Sequence, residues 1–541
     1  MCGIAALYGT SDAGQVELML SQIQHRGPDE THATVTERCA FGINRLSIMD
    51  IEGGSQPFHI ANGTVHLVCN GQIYNHAALR ADLENDVIFS SGSDVEVIAH
   101  LYHQYGAELL PRLDGMFAFF IYDQHRQDFL AARDRFGIKP LYYLQRDGAW
   151  FFASEIKALQ ALSEDAALIK ELPPGWMATS EGIRPWFDIN MSQRRSVPDT
   201  RLVRALLEAS VEKHMQADPQ VKFGVFLSGG LDSSIIAALA ARHRQDLVAL
   251  TIGMPGSPDT IAARQVASHL GIRLVECSFT VTQALAQLRR AVQVTESYNS
   301  VMVLEGLMTM QLAQAAAEEG IKVILSGEGA DEIFAGYGLL RCVPPARLSG
   351  QLKQLLGHLH KTECRRLDRA TMACSVEARV PFLDPLLVEY AVNLPASGLI
   401  QKSSQRPTEK WLLREACRDL LPENILQRVK LAFDHGSGIL ALLDTLADRV
   451  TDAAFEETRY RYPAARIANK PTLVFYFIWR DIFGETGGAG SFELCGHYPV
   501  MQEMIDKRTS ETGGTGECEE DITPLLTEWT HHTAPLHKSR S

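Results

Sequence analysis

The second residue of the chain is a cysteine, in a position that can combine two kinds of chemistry. If Met1 is removed, Cys2 carries both a thiol and a free α-amine. An α-amine has a pKa near 7.7–8.0, so it can accept a proton from the thiol at physiological pH. Cys2 is therefore a candidate nucleophile that needs no distant histidine as its base. Removal of Met1 is expected because the side chain that follows it is small.

Two glycine-rich segments have the composition of phosphate-binding loops. The first is Ser228-Gly229-Gly230-Leu231-Asp232-Ser233-Ser234, between an apolar run and a helical pattern. Glycines let a backbone approach a phosphate closely, and N–H groups at a helix start attract anions. The Lys-Ser/Thr ending of a Walker A loop is missing, so γ-phosphoryl transfer is not the expected reaction. The second segment is Ser326-Gly327-Glu328-Gly329-Ala330-Asp331-Glu332.

Further motifs accompany these residues and carry a family resemblance. The amino-terminal set is Met1-Cys2-Gly3-Ile4, His25-Arg26-Gly27-Pro28-Asp29, Arg45-Leu46-Ser47-Ile48, Asn70-Gly71-Gln72-Ile73-Tyr74-Asn75 and Ser93-Asp94. It resembles the class II (N-terminal nucleophile) glutamine amidotransferases. The first glycine-rich segment resembles the loop of ATP pyrophosphatases, and the second is similar to the SGEGxDE segment of asparagine synthetases. Residues 377–384, 409–410 and 428–430 add matches, so the resemblance to glutamine-hydrolysing asparagine synthetases covers about residues 1–480.

The resemblance implies that the Cys2 thiolate attacks the side-chain amide of glutamine, forms an acyl-enzyme and releases ammonia. The guanidinium of Arg45 matches the α-carboxylate of glutamine, and Asp94 can balance its ammonium. The side chain of Asn70 and the backbone N–H of Gly71 can donate to the tetrahedral oxyanion. The implied glutamine-binding residues are Arg45, Leu46, Ile48, Asn70, Gly71, Gln72 and Asp94. The family usually has Glu where this chain has Gln72, so weaker glutamine affinity with surviving hydrolysis is expected.

The second half of the implied reaction consumes that ammonia. A carboxylate attacks the α-phosphate of MgATP and gives an acyl-adenylate and pyrophosphate, and ammonia then displaces AMP. Lys430 is assigned to charge stabilisation at phosphorus and Glu328 to proton removal from the attacking ammonium. The implied ATP-binding residues are Ser228, Gly229, Gly230, Leu231, Asp232, Ser233, Ser234, Ile252, Ser326 and Gly327. Asp232 and Asp331 are the expected Mg²⁺ ligands, and Glu377 with Arg379 is expected to be a structural ion pair.

The expected acid-binding segment departs from the family pattern. Asparagine synthetases usually carry Thr-Thr-x-Arg where this chain has Val301, Met302 and Leu304, with Glu305 beside them. The change removes two hydroxyls and a guanidinium, which are donors that an α-carboxylate needs. An apolar wall can accept a longer acid, and Glu305 can bind an amine. Together with a second departure over residues 431–438, this supports the hypothesis that the acid is not aspartate.

The surrounding sequence predicts the elements that position these residues. Residues 2–190 hold short apolar runs separated by turn dipeptides, including strands over residues 116–122 and 150–153 and one helix after Asp94. We expect an α+β, αββα-type glutaminase domain there. Residues 200–483 alternate strands (221–227, 247–252, 321–325) with helices (one over 235–244), which predicts an α/β doubly wound parallel sheet. Residues 189–198 are the expected linker, and residues 484–541 an extension that is loosely packed or partly disordered.

Composition limits the class of protein. The 541 residues carry a net charge of −14, which disfavours a dedicated nucleic-acid binder. No run of 18 apolar residues is present, so a membrane span is not expected, and the first residues do not read as a secretory signal. Ten cysteines without a CxxC pair predict reduced thiols in the cytoplasm. The expected partners are glutamine, ATP and a carboxylic acid such as aspartate, and a homodimer is the expected assembly.

Two other readings compete with the ligase. A β-lactam-synthetase-like ring closer shares the fold and uses an internal amine, but such relatives generally lose the glutaminase cysteine. The presence of Cys2 with Arg45, Asn70 and Asp94 argues against it. A non-catalytic scaffold would need damage to the segments at 228–234 or 326–332, and both are intact. We therefore predict a glutamine-dependent, amide-forming ligase, with a ligase for a specialised, non-aspartate acid as the alternative.

Overall fold

The structure is a computed structural model. It describes residues 2–83, 86–163, 168–189, 195–401 and 407–484. Half of the expected linker (190–194) and nearly all of the expected carboxy-terminal extension (485–541) therefore lie outside the described residues.

The amino-terminal part is built from two six-stranded antiparallel sheets. Its strands are β1 Gly3–Tyr8, β2 Glu30–Val35, β3 Cys39–Arg45, β4 Phe58–Ile60, β5 Val65–Ile73, β6 Gly115–Asp123, β7 Asp128–Arg133, β8 Tyr142–Arg146, β9 Ala149–Ala153, β10 Lys170–Glu171, β11 Trp176–Thr179 and β12 Gly182–Pro185. The strand order is β10-β8-β9-β1-β3-β2 in the first sheet and β12-β11-β7-β6-β5-β4 in the second. The helices are α1 Ala13–Gln22, α2 His76–Leu83, α3 Glu96–Tyr105 and α4 Ile156–Gln160.

Burial explains why the two sheets stack. Aromatic side chains of both sheets, among them Phe41, Phe120 and Phe152, are fully buried in one cluster between them. A second cluster joins the first sheet to α1 and α4, and a third joins the second sheet to α2 and α3. The result is a helix–sheet–sheet–helix stack, which confirms the expected αββα class. The strand predicted over 116–122 is the centre of β6, and the helix predicted after Asp94 is α3.

The second part contains a five-stranded parallel sheet. The remaining strands are β13 Lys222–Phe226, β14 Val248–Gly253, β15 Arg273–Ser278, β16 Ile321–Leu325, β17 Glu377–Arg379 and the short pair β18 Ile400–Gln401 and β19 Thr408–Glu409. The order β15-β14-β13-β16-β17, all parallel, confirms the predicted doubly wound sheet.

Helices surround this sheet. They are α5 Thr200–His214, α6 Leu231–Ala240, α7 Pro258–Leu270, α8 Val281–Thr295, α9 Ser300–Glu318, α10 Ala330–Phe334, α11 Pro345–His358, α12 Glu363–Met372, α13 Pro385–Val392, α14 Ala396–Leu399, α15 Trp411–Ala416, α16 Glu423–Leu426, α17 Phe433–Ser437, α18 Ala441–Ala447, α19 Asp452–Arg461 and α20 Lys470–Phe483. Short 3₁₀ turns span Gln24–Arg26, Gly106–Arg112, Gly338–Cys342, Leu359–Lys361, Pro381–Leu383 and Pro463–Ala465. Within the described residues, no helix has both the length and the hydropathy needed to cross a bilayer.

The carboxyl ends of β13 and β16 open onto the two glycine-rich segments, where open α/β sheets bind their ligands. The helix expected over residues 235–244 differs in its bounds, because α6 begins at Leu231 and ends at Ala240. Gly230 precedes it in an extended conformation and acts as its N-cap. The earlier start turns the first N–H groups of the helix toward the loop, as a phosphate-binding helix requires.

Candidate functional site

Cys2 lies immediately before β1 and is only 6% exposed. Its backbone N–H donates to the Asn70 Oδ1 atom at 3.0 Å, so the nitrogen that becomes the α-amine after loss of Met1 is already oriented. The Asn70 Nδ2 atom is buried and has no hydrogen-bond partner among the described residues. A buried, unpaired donor is costly in an empty site and suits an oxyanion that forms only during the reaction.

The thiol of Cys2 has a higher pKa than the thiol of a free cysteine. Burial raises its pKa, and the backbone N–H of Leu46 and the charge of Arg45 oppose that rise. A base in contact with the thiol is therefore needed to generate the thiolate near neutral pH. The α-amine of Cys2 itself is the base that the sequence offers.

Arg45 has several partners within the amino-terminal part of the chain. It pairs with Glu30 across β2 and β3, and its Nη1 atom lies 2.6 Å from Glu30 Oε1. The guanidinium also donates to the backbone carbonyls of Met49, Asp50 and Ile51. In this structure its fork is thus engaged by Glu30 and by the loop that follows β3.

Gln72 and Asp94 also have partners of their own. The Gln72 Oε1 atom accepts from Arg379 Nη2 at 2.9 Å, so this oxygen contacts the second part of the chain. Asp94 precedes α3 and accepts from the Ile73 N–H at 2.7 Å. Burial raises the pKa of Asp94 to about 6. The expected Glu377–Arg379 ion pair is present, with 2.5 Å between Glu377 Oε1 and Arg379 Nε.

The first phosphate-type loop is tightly organised between β13 and α6. Gly229 has a φ of +69°, and a Cβ atom there would lie 2.4 Å from the Cβ of Ala262, so only glycine fits. The hydroxyls of Ser228 and Ser233 bond within the loop, and the Ser228 Oγ atom accepts from the Gly230 N–H. The loop is therefore preformed before any phosphate arrives.

The two loops meet around a single cavity of about 260 Å³. A Cβ on Gly327 would lie 2.8 Å from the Ser233 backbone nitrogen, which shows how closely they approach. The sequence-predicted residues that line the cavity are Ser228, Gly230, Leu231, Asp232, Ser233, Ile252, Ser326, Gly327, Glu328, Asp331 and Lys430. Gly229 and Ser234 are placed behind this lining. Gly229 shapes the turn, and Ser234 is fully buried on α6.

Four charged groups lie at the phosphate end of the cavity. The Lys410 Nζ atom bridges Asp232 Oδ2 and Asp331 Oδ1 at 2.6 Å each, and Lys430 Nζ lies 2.6 Å from Asp331 Oδ2. Burial opposes ionisation of Asp331, but the two lysines outweigh it and lower its pKa. The two carboxylates and two ammonium groups balance. The Lys430 side chain is 37% exposed and the Lys410 side chain 3%, so Lys430 has more freedom to turn toward a substrate.

The donor set at this end also fits a hard divalent cation. The Asp232 Oδ1 atom is buried, lines the cavity and has no hydrogen-bond partner among the described residues. Mg²⁺ is typically held by one or two carboxylates together with substrate phosphates and waters. Asp232 and Asp331, at the ends of the two loops, meet that description.

The expected acid-binding residues divide between the cavity and the core. Val301 and Glu305 lie one turn apart on α9 and face the cavity, whereas Met302 and Leu304 are fully buried elsewhere and do not line it. Val301 and Glu305 share a face because they lie four residues apart on the helix. The apolar wall expected from three positions is thus reduced to Val301. From the second divergent segment, the cavity-lining residues are Leu431, Ala432, Phe433, Asp434 and His435.

One buried helix connects the two sites. Helix α12 places Arg366 at the cavity, where its Nη2 atom lies 2.6 Å from Glu328 Oε1. Two residues further along α12, the Asp368 carboxylate accepts hydrogen bonds from both Nη atoms of Arg26, at 2.8 and 3.1 Å. Arg26 is fully buried and its Nε atom donates to the Cys2 carbonyl at 3.1 Å. The same guanidinium also pairs with Glu155 at 2.7 Å. A chain of direct contacts therefore runs from the synthetase cavity to the nucleophile.

Sequence reasoning did not assign a role to several charged residues of the cavity, and three of them are Lys410, Arg428 and Arg366. Lys410 has a left-handed φ of +54° that places its ammonium between the two aspartates. Arg428 donates to Asp259 at 2.7 Å and to the Ser228 carbonyl, so it supports the first loop. Lys410 and Arg428 lie in segments that carried the family resemblance, so the sequence could have identified them as cavity residues. Arg366 had no sequence signal, since its position depends on how α12 packs.

Comparison with known proteins agrees with both halves of this geometry. Residues 1–173 match the family model of the glutamine amidotransferase domain, and residues 202–355 and 344–471 match that of asparagine synthase. Glutamine-hydrolysing asparagine synthetase 2 of Arabidopsis thaliana is 36% identical over 512 residues, covering 89% of this chain and 87% of the relative. Asparagine synthetase B of Escherichia coli is 36% identical over 516 residues, covering 90% and 91%. The chain belongs to the family of glutamine-hydrolysing asparagine synthetases.

Proposed function

We propose that the chain hydrolyses glutamine to ammonia and uses this ammonia to convert an ATP-activated carboxylate to an amide, releasing AMP and pyrophosphate. The observation that carries the proposal is the presence, in one chain, of an oriented cysteine nucleophile and a preformed two-loop phosphate cavity, joined by a buried helix. The names of the relatives support aspartate as the acid and asparagine as the product.

In the glutaminase half, the α-amine of Cys2 takes the thiol proton and the thiolate attacks the glutamine amide. Asn70 holds this nitrogen through its Oδ1 atom and presents its unpaired Nδ2 atom to the oxyanion. The Gly71 N–H is the proposed second donor. Proton return from the amine to the leaving nitrogen releases ammonia, and water then hydrolyses the thioester.

In the synthetase half, the glycine-rich loop and the start of α6 bind the phosphates, while Ile252 packs against the base. The acid carboxylate attacks the α-phosphorus, and Lys430 stabilises the negative charge that develops there. Asp232 and Asp331 would hold Mg²⁺, which would supply charge neutralisation for the diphosphate leaving group. Glu328 accepts a proton when ammonia attacks the acyl-adenylate.

We also propose a cellular compartment and an assembly state for the enzyme. The eight cysteines that the structure describes are free thiols, which supports a reducing compartment such as the cytoplasm. A homodimer stays a prediction from the sequence, and light scattering after size-exclusion chromatography tests it.

The proposal is tested by measuring AMP and pyrophosphate with glutamine or with ammonium salts as the nitrogen source. Cys2→Ala should lose glutamine-driven synthesis and keep ammonia-driven synthesis, because the two reactions use separate sites. Intact-mass measurement establishes whether Met1 has been removed. Absence of AMP with both nitrogen sources and every tested acid would refute the proposed function.

A further inference from the structure

Glu328, the proposed proton acceptor of the amide-forming step, is held at one of its two carboxylate oxygens. It lies between Gly327 and Gly329 in the second glycine-rich loop, lines the cavity and has a side chain that is 25% exposed. Its Oε1 atom accepts a hydrogen bond from Arg366 Nη2 at 2.6 Å. Its Oε2 atom accepts no hydrogen bond from the part of the chain that the structure describes. The ion pair with Arg366 is therefore the polar contact that orients this carboxylate.

Arg366 is itself fixed from a different part of the fold. It is buried on α12, and two other nitrogens of its guanidinium meet side chains of α9. The Nη1 atom donates to Thr309 Oγ1 at 3.1 Å, and the Nε atom lies 2.9 Å from Glu305 Oε2. The Thr309 hydroxyl donates its own proton to the Glu305 carbonyl at 2.8 Å, which leaves its lone pairs to the guanidinium. Two helices thus set the position from which Nη2 meets the loop.

The charge of Arg366 is available to Glu328, although the Glu305 carboxyl group lies beside it. Burial raises the pKa of Glu305 to about 8, with Arg366 opposing the rise. At pH 7 the Glu305 side chain is therefore mostly an uncharged acid, which can hold the guanidinium without neutralising it. Glu328 is then the charged partner of Arg366, and a charge-assisted contact is about twice as strong as a neutral one.

We propose that Arg366 is a positioning residue for the amide-forming step, which holds one oxygen of Glu328 and thereby leaves the other open to the attacking nitrogen. The inference rests on the proposed function. In this step the lone pair of ammonia forms the N–C bond to the acyl carbon, and the bond from that carbon to the phosphate oxygen breaks with its electrons on AMP. One proton of the nitrogen passes to Glu328 Oε2. Without Arg366, the carboxylate can still accept a proton but is no longer held in place.

The test measures pyrophosphate and amide by rapid quench in the ammonia-driven reaction of the full chain, with an acid that the wild type activates. In Arg366→Met, pyrophosphate formation in the first turnover should stay within threefold, since the ion pairs of the phosphate end are untouched. The rate of amide formation should fall about tenfold to hundredfold. Water then consumes part of the acyl-adenylate, so less than one amide forms per pyrophosphate. Arg366→Lys, which keeps a cation, should recover part of this loss.

Arg365→Met is the matched control. Arg365 is buried next to Arg366 on α12, donates to the backbone carbonyls of Thr295 and Glu296, and does not line the cavity. The same substitution in the same helix should leave the yield of amide per pyrophosphate at the wild-type value even if it lowers the Tm. An equal loss of amide in both variants would overturn the inference, because disturbance of α12 would then explain it.

A double-mutant cycle tests whether Arg366 acts through Glu328. Glu328→Gln alone should slow amide formation, and adding Arg366→Met should slow it no further, because no base is then left to position. Losses that multiply would overturn the inference, and so would a normal rate of amide formation in Arg366→Met beside a slow Glu328→Gln. A normal rate in Glu328→Gln is a different failure, since it would refute the base assigned in the proposed function and the inference with it.

Discussion

Asp368→Asn is expected to lower the rate of glutamine hydrolysis. Asp368 itself lies on α12, one of the helices that surround the parallel sheet of the second part. Asp368 and the fully buried Arg26 form a two-point ion pair, and Arg26 in turn holds the carbonyl of Cys2. Asparagine keeps one acceptor and loses the charge. One N–H of Arg26 is then left facing the amide NH₂ group of asparagine in the buried contact between the two parts of the chain.

The size of the effect follows from the partners that remain. Loss of a buried ion-pair partner costs about 3–5 kcal/mol when the other charge is left uncompensated. Arg26 keeps Glu155 at 2.7 Å, so the expected loss is about 2 kcal/mol, the value of one charge-assisted hydrogen bond. This corresponds to a fall in Tm of about 4–8 °C. Less secure anchoring of Cys2 should lower kcat/KM for glutamine hydrolysis about tenfold, which is about 1.4 kcal/mol in the barrier.

The assays are glutamate release, ammonia-driven AMP formation and thermal unfolding. Glu171→Gln is the matched control, because Glu171 is a partly buried carboxylate that pairs with Arg133 at 2.7 Å and faces His360 of the second part at 3.6 Å. It should lower the Tm without the tenfold loss of glutaminase. Equal losses in the two variants, or a lower Tm with normal glutamine hydrolysis in Asp368→Asn, would show that the contact with Arg26 does not position the nucleophile.

Three further outcomes are expected. Asn70→Ala should lower kcat for glutamine hydrolysis about 10²–10³-fold through loss of an oxyanion donor, while ammonia-driven synthesis stays normal; a loss below threefold contradicts the assigned role. Lys410→Met should abolish AMP formation and leave glutamine hydrolysis within twofold, since it removes the ammonium shared by Asp232 and Asp331; substantial AMP formation would argue against that role. Burial raises the pKa of Asp94 to about 6, so its carboxylate is protonated below that pH and kcat/KM for glutamine should rise as pH passes 6. The residual activity of Asp94→Asn should lack this rise, and an unchanged profile would assign the titration to another group.

The fold was predictable because its signals are local. Apolar runs bounded by turn dipeptides located β6 and β9, and strand–loop–helix order was enough for the parallel sheet. The start of α6 was placed four residues late, since Leu231 and Asp232 look like loop residues until the glycine cap is seen. Boundaries of this kind depend on capping geometry, which periodicity does not report.

The partners of the site residues were the part that the sequence did not supply. The sequence did not indicate that strand register sets Arg45 opposite Glu30. Gln72 was expected beside an ammonium, and domain packing sets it against Arg379. Motifs identify which side chains take part, whereas register and packing decide what each one touches in the resting molecule.

Helix α12 imposes a limit on how this protein can be redesigned. Arg366, which lines the synthetase cavity, and Asp368, which holds Arg26 beside Cys2, are separated by only about 3 Å of helical rise. A rotation or shift of the backbone that suits a new acid would move the anchor of the nucleophile by the same amount. Libraries aimed at new acids are therefore better directed at cavity residues outside α12.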